Sequence, residues 1–352
     1  MAPNNQRPVV LFGYDSYVRV PSMLPRPLIT TLFALPYRKI PILAIGRHIY
    51  CDTCLIVRAL EHFFPANAST PYNTIFPVIP GHEAWSYAPL AQGFTTFWAD
   101  KPLFRVTTGL IPQRVWETQF GVDRAQLIGH KLDAKKLGNK VAGNMEALDG
   151  HLSVLEALFQ RRDGDAEGGK WIFPTKTPGL ADVGLWYQIK WGIDIANGRG
   201  VEDLSGGGTV DGGGQEDEVT RRVWNEGRYP GLWKWFHDFE SHINGLQSLQ
   251  AGNDDKQSWL AGIEDSVFLQ DKELLIPTTA KNVASIPGRL LPGADVTIAP
   301  DDTGRENPTV GTLLRIGAEE LVIRTAERGQ VDVVVHFPTL GFVVKATSRT
   351  RL

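Results

Sequence analysis

Two cysteines in 352 residues are too few for a secreted disulfide framework, and Met1 to Pro8 hold no apolar segment of signal-peptide length. Cytoplasm is the expected compartment. No apolar run approaches the roughly 18 residues that a membrane-spanning helix needs, so no membrane span is expected. Excess positive charge is missing as well: the net charge is −3 and the pI is near 6.3, whereas nucleic acid and anionic membrane surfaces both demand a basic excess. Small molecules or other proteins are the expected partners. The Gly-x-Ser-x-Gly, His-Glu-x-x-His and P-loop patterns are also absent, which removes the common hydrolase, zinc-protease and nucleotide-binding signatures.

What is present is an ordinary globular composition, 42% hydrophobic and 21% charged, in a length that suits two to three domains. The 36 glycines and 23 prolines make up about 17% of the chain, above the roughly 12% of an average protein, and predict long or numerous loops. Residues 8–64 alternate short β-like runs with helix-like ones, ending in an amphipathic stretch from Thr53 to Phe64: a small α/β unit. From about Pro80 to Leu249 the pattern is helical. Leu137, Val141, Met145, Leu148, Leu152 and Leu155 recur at spacings of three and four, and tryptophans at 186, 191, 224, 233 and 235 fit packing between helices. Arg161 to Gly169 and Gly198 to Gly214 read as surface loops, and the second lacks the Lys-Ser/Thr of a phosphate cradle. Beyond about Asp271 five short β-type runs follow, at 295–299, 310–316, 320–325, 331–337 and 342–346, spaced as in a small antiparallel barrel. The run Val331 to His336 is too apolar for a strand with one wet face, so this barrel is expected to pack on the helical part. The boundaries drawn are 1–70, 71–255 and 256–352.

Chemistry concentrates between Tyr37 and Thr53. Pro41 enters a strand, Gly46-Arg47 turns a hairpin, and Asp52-Thr53 opens a helix. Backbone before such a proline can pair with an extended peptide-like ligand, and a helix N-terminus can receive a carboxylate; a strand-initiating proline and a capped helix also stand with no ligand at all. Ile40-Pro41 is a candidate cis bond.

The order of these parts resembles the glutathione transferase fold, a thioredoxin-like domain followed by an all-helical one, over roughly residues 8–250. The resemblance implies that the Ile40 backbone before Pro41 binds the cysteinyl part of glutathione and that Asp52 and Thr53 bind its γ-glutamyl part. Glutathione as co-substrate, a small hydrophobic electrophile and a homodimer come with it. Phe173 to Val183 looks like the start of the family's sixth helix, where a Ser or Thr caps and an Asp three residues later closes the capping box. Here those positions are Gly179 and Asp182, so half of the box is absent. Tyr229 to Phe236 looks like the following Pro-x-x-x-x-Trp helix. Leu24-Pro-Arg-Pro27 and a β-rich extension with His336-Phe-Pro-x-x-Gly-Phe342 are most similar to a fungal group of transferase-like proteins. The implied fold class is a truncated thioredoxin-like α/β domain, an all-α domain and a small C-terminal β-barrel-like extension.

The same resemblance places a helix between the first two strands, with the thiol-stabilising Ser, Tyr or Cys at its N-terminus. Only Gly13 to Ser16 separates the two runs here, enough for a hairpin or bend and too short for a full parallel crossover. That helix is therefore expected to be missing, and a lost segment, a degenerate enzyme and rerouted pairing each account for it. Ser16, with Tyr14 beside it, is the hydroxyl left for the catalytic position. A noncatalytic binding or scaffolding protein on the same fold is the alternative. Cys51-x-x-Cys54 is read as packing rather than as a redox pair, and its flanks His48 and His62 match no standard zinc module, so no metal is expected. His82, His130, His151, His237, His242 and His336 are read as surface or capping residues.

Overall fold

The computed structural model describes residues 7–13, 18–19, 26–67, 69–70, 72–160, 170–196, 221–247, 256–270, 273–275 and 290–347. Both loops expected at 161–169 and 198–214, together with Tyr14, Ser16 and Leu24, lie outside the described residues. Two compact units result, one of residues 1–64, 125–130 and 250–352 and the other of 65–124 and 131–249.

In the first unit, β1 (Val9–Gly13) and β2 (Val18–Arg19) precede α1 (Pro27–Phe33), β3 (Ile42–Ile45), β4 (His48–Cys51) and α2 (Thr53–Phe63). The second unit is helical: α3 (Ala88–Gly93), a π-helical stretch at Phe94–Leu103, α4 (Phe104–Thr108), α5 (Gln113–Trp116), the first part of α6 (Gln119–Ile128), α7 (Ala134–Asn139), α8 (Val141–Gln160), α9 (Leu180–Ala196) and α10 (Pro230–Asn244). The chain then returns to the first unit through α11 (Lys256–Asp265) and five strands, β5 (Asp295–Pro300), β6 (Thr309–Ile316), β7 (Glu320–Thr325), β8 (Val334–Pro338) and β9 (Phe342–Ala346). No helix among the described residues is long and apolar enough to cross a membrane.

All nine strands form one sheet in the order β2-β1-β3-β4-β8-β7-β6-β5-β9. This corrects the expectation of a separate barrel. A free β4 would be an edge strand offering unpaired backbone groups; here β8 pairs with it in parallel, Tyr50 opposite His336, and fills that edge. The apolar run before His336 is explained by the same fact. β8 lies between β4 and β7 with all five residues buried, so it has no wet face, and the core that covers it belongs to its own unit. That core is shared: Val10, Phe12, Phe33 and Ile42 cluster with Ile298, Leu313, Ile323, Val335 and Phe337. Phe12 stands at its centre, edge-on to Phe33 and to Trp259 of α11, each at 5.5 Å.

Curvature survives from the barrel expectation. Only Thr339 to Gly341 join β8 to β9, a reach of at most about 15 Å, whereas four flat strand spacings would part them by about 19 Å. The extension must curl, and Phe337 meets Phe342 across the gap with ring centroids 5.4 Å apart.

A second departure lies at β2. Val18 and Arg19 pair in parallel with Phe12 and Gly13 despite the short connection. A long crossover is required when a strand returns to run beside the whole of its neighbour; β2 has two residues and starts beside the end of β1, so the chain loops back by only one residue pair.

In the helical unit the apolar stripe is split between α7 and α8, with Leu148, Leu152 and Leu155 buried, and Trp224 and Trp235 are buried as the packing reading requires. Asp182 organises the junction of α9 and α10. It is buried and accepts from Ile172 N–H at 2.9 Å, Gly179 N–H at 3.0 Å and Trp235 Nε1–H at 2.8 Å. The Asp half of the capping box is thus in place, and the Pro-x-x-x-x-Trp pattern has a purpose: Pro230 starts α10 and Trp235 reaches back to Asp182. Gly179 is explained by crowding, since a Cβ there would stand 3.1 Å from the Ile75 carbonyl oxygen and 3.3 Å from Pro77.

Candidate functional site

The antiparallel register of β3 and β4 sets Ile42 opposite Cys51. Pro41 and Asp52 are the next residues outward, so Ile40-Pro41 and Asp52-Thr53 come together at one end of the sheet. The Ile40–Pro41 peptide is cis. Ile40, Pro41 and Asp52 are half-buried and Thr53 is exposed. Asp52 is the N-cap of α2, accepting from Cys54 N–H at 3.1 Å, and it does so at φ 76°, ψ 136°. A left-handed φ on a residue other than glycine costs about 1–3 kcal/mol, and such conformations gather at ligand sites. Ser16, the hydroxyl expected to serve catalysis, lies outside the described residues.

Cys51 and Cys54 are free thiols, Cys51 buried. Burial, with the charge of Asp52 adding to it, pushes the Cys51 thiol well above its ordinary range, so it is held protonated and a poor nucleophile. Cys51 ends β4 in the core and Cys54, in α2, packs partly buried against the cluster of Leu43, Tyr50 and Leu55, which agrees with the packing reading of each.

Extension residues reach the same end of the sheet. Lys39 Nζ pairs with Asp302 at 2.6 Å, and the Tyr37 ring sits against Phe337 at 5.9 Å and Phe342 at 6.1 Å. On the other side of the register, Arg58 of α2 pairs with Glu319 at 2.8 Å. Arg47, at the hairpin tip, donates to the carbonyls of Ser266 at 2.8 Å, Asp332 at 3.1 Å and Glu264, tying β3–β4 to the end of α11.

The reading of isolated histidines needs correction. His336 and His48 are buried and bonded to each other, Nδ1 of His48 lying 2.7 Å from Nε2 of His336. Leu269 N–H donates to His48 Nε2 at 2.8 Å, which leaves the His48 proton on Nδ1, pointing at His336. His336 in turn has its proton on Nδ1 and donates to buried Glu320 at 2.8 Å. Tyr50 stacks on His336 with centroids 4.3 Å apart. The chain of three side chains, His48, His336 and Glu320, crosses from β4 through β8 to β7, the seam between the α/β half and the extension. Lone histidines far apart in sequence gave no sign of it; only the parallel pairing of β4 with β8 brings them together.

Burial first, then the neighbouring His336 and Arg7, lowers the His48 pKa from 6.5 to about 2. An unfolded His48 binds a proton below about pH 6.5 and the folded one does not, so its contribution to stability is complete above pH 6.5 and is lost as pH falls from there toward about 2. Urea unfolding between pH 7 and 4.5 is expected to show stability falling by up to about 1.4 kcal/mol per pH unit from this group, and the slope should flatten in His48→Gln.

No family model matches the chain, and no curated protein does. Among solved structures it is similar to a glutathione transferase-like protein from Pseudomonas syringae, with 22% identity and a TM-score of 0.58, covering 97% of this chain and 100% of that one. A rice glutathione transferase solved in complex with glutathione is 18% identical, with a TM-score of 0.36, over 69% of this chain and 92% of that one. The first likeness shows the fold: the chain has the architecture of a glutathione transferase-like protein, and that bacterial structure spans the β-rich extension as well.

Proposed function

We propose that this chain binds glutathione at the sheet end formed by Ile40, Pro41, Asp52 and Thr53, and presents its thiol to a small hydrophobic electrophile. The observation that carries the reading is Asp52, a helix N-cap held at a left-handed φ beside the entrance to β3. Asp52→Gly tests it. Glycine relieves the backbone and is nearly as good an N-cap, so stability should be unchanged or rise by about 1 kcal/mol, while glutathione affinity falls at least tenfold by calorimetry. Wild-type protein giving no heat at millimolar glutathione would end the proposal.

The four residues between β1 and β2 favour a second reading, binding without turnover, because they leave no room for a helix whose N-terminus would favour a thiolate. The two readings part on a conjugation assay with an aromatic electrophile: turnover lost in Ser16→Ala supports catalysis, and binding with no turnover in the wild type supports the alternative. A homodimer, cytoplasmic residence and a fungal kinship complete the proposal; sedimentation checks the first.

A further inference from the structure

The entrance to β3 carries a cation that is already held. Lys39 immediately precedes Ile40, and its ammonium pairs with Asp302 at 2.6 Å. Asp302 belongs to the extension, in the turn between β5 and β6, and backbone bonds fix that turn on either side of it: Asp301 N–H donates to the Gly341 carbonyl at 2.9 Å and Gly304 N–H to that of Leu127 at 3.0 Å. The carboxylate is therefore presented to Lys39 by a braced backbone. Arg38, the neighbouring cation, donates to the Gln126 carbonyl at 3.3 Å. Burial raises the Tyr37 pKa well above 10, and the charges of Asp52 and, more weakly, Asp302 add to it, so both carboxylates lie near that ring. Glutathione, itself a dicarboxylate, would meet two acids at this end of the sheet, and the lysine next to Ile40 is held by one of them.

That pair is open to exchange. The side chains of Lys39 and Asp302 are 27% and 49% exposed, and a pair so well solvated is worth at most about a fivefold shift in an equilibrium. A ligand carboxylate has the charge and the acceptor atoms of Asp302 and can take its place on the ammonium. We propose that Asp302 is an internal competitor of this site, a carboxylate from the extension that occupies Lys39 until a carboxylate of bound glutathione displaces it. The proposal rests on the glutathione reading above and adds to it a residue that sets affinity, giving the extension a part in binding.

Asp302→Asn keeps the shape of the side chain and removes its charge. Calorimetry at fixed ionic strength is expected to show glutathione binding about two- to fivefold tighter than in the wild type. In a Lys39→Gln background the same substitution should change nothing, because its effect runs through the ammonium. Equal or weaker affinity in Asp302→Asn overturns the inference and leaves the glutathione reading intact; weaker binding would make Asp302 a positioning residue for Lys39. A gain that persists in Lys39→Gln also overturns it, since the carboxylate would then act by repelling the ligand and not by holding the lysine. Absence of binding in the wild type and in Asp302→Asn alike removes the reading on which the inference rests.

Discussion

Replacing His336 by alanine should lower the unfolding free energy by about 3–5 kcal/mol, read as a shift in the urea midpoint at constant m. Two buried groups lose their partners at once. The Glu320 carboxylate, 1% exposed, loses the N–H that faces it, and the His48 Nδ1 proton loses its acceptor. Tyr50 also loses the ring on which it stacks, leaving a cavity beneath it. Glu320→Gln should cost less, because an amide oxygen still accepts from His336 and no buried charge remains. The double variant Glu320→Leu/His336→Leu should recover part of the loss, since removing both partners leaves fewer orphaned groups than removing one. A cost below about 1 kcal/mol for His336→Ala would mean that the chain of histidines does not hold the seam.

That seam marks the limit of what could be read from the residues alone. Short β-type runs bounded by turn residues located the five strands beyond residue 290, because those signals are local. Which strand pairs with β4 is a long-range fact with no local signature, so the extension read as a barrel of its own. The one clue was the apolar run before His336; its message, a strand covered on both faces, was sound, and the cover was sought in the wrong place. At the candidate site Pro41, Asp52 and Thr53 were legible because a strand entrance and a capped helix are local patterns. The packing of the Tyr37 ring was not, since nothing in its neighbours foretells that Phe337 and Phe342 will close over it.

Asp182→Ala should be comparably severe in the helical unit, at about 3–5 kcal/mol, since three donors lose this acceptor together: the N–H groups of Ile172 and Gly179 and the indole N–H of Trp235. Each orphaned buried donor costs about 1–3 kcal/mol, with some relief where water can enter. The alternative is that Asp182 serves only as a helix cap, worth about 1 kcal/mol, and a cycle with Trp235→Phe separates the two. If the carboxylate binds α9 to α10, Trp235→Phe should cost clearly more in the wild type than in Asp182→Ala, where the indole already lacks its acceptor, giving a coupling of about 1 kcal/mol or more. Additive losses would reduce Asp182 to a local cap. Gly179→Ser should rescue the variant poorly, because its Cβ would stand 3.1 Å from the Ile75 carbonyl that accepts from Leu180 N–H at 2.9 Å, and that backbone would have to give by a few tenths of an ångström. The absent half of the capping box follows from how closely this segment approaches residue 75, and the surviving carboxylate links α9 to α10 beside the packing of Trp186 on Phe236 and Phe239.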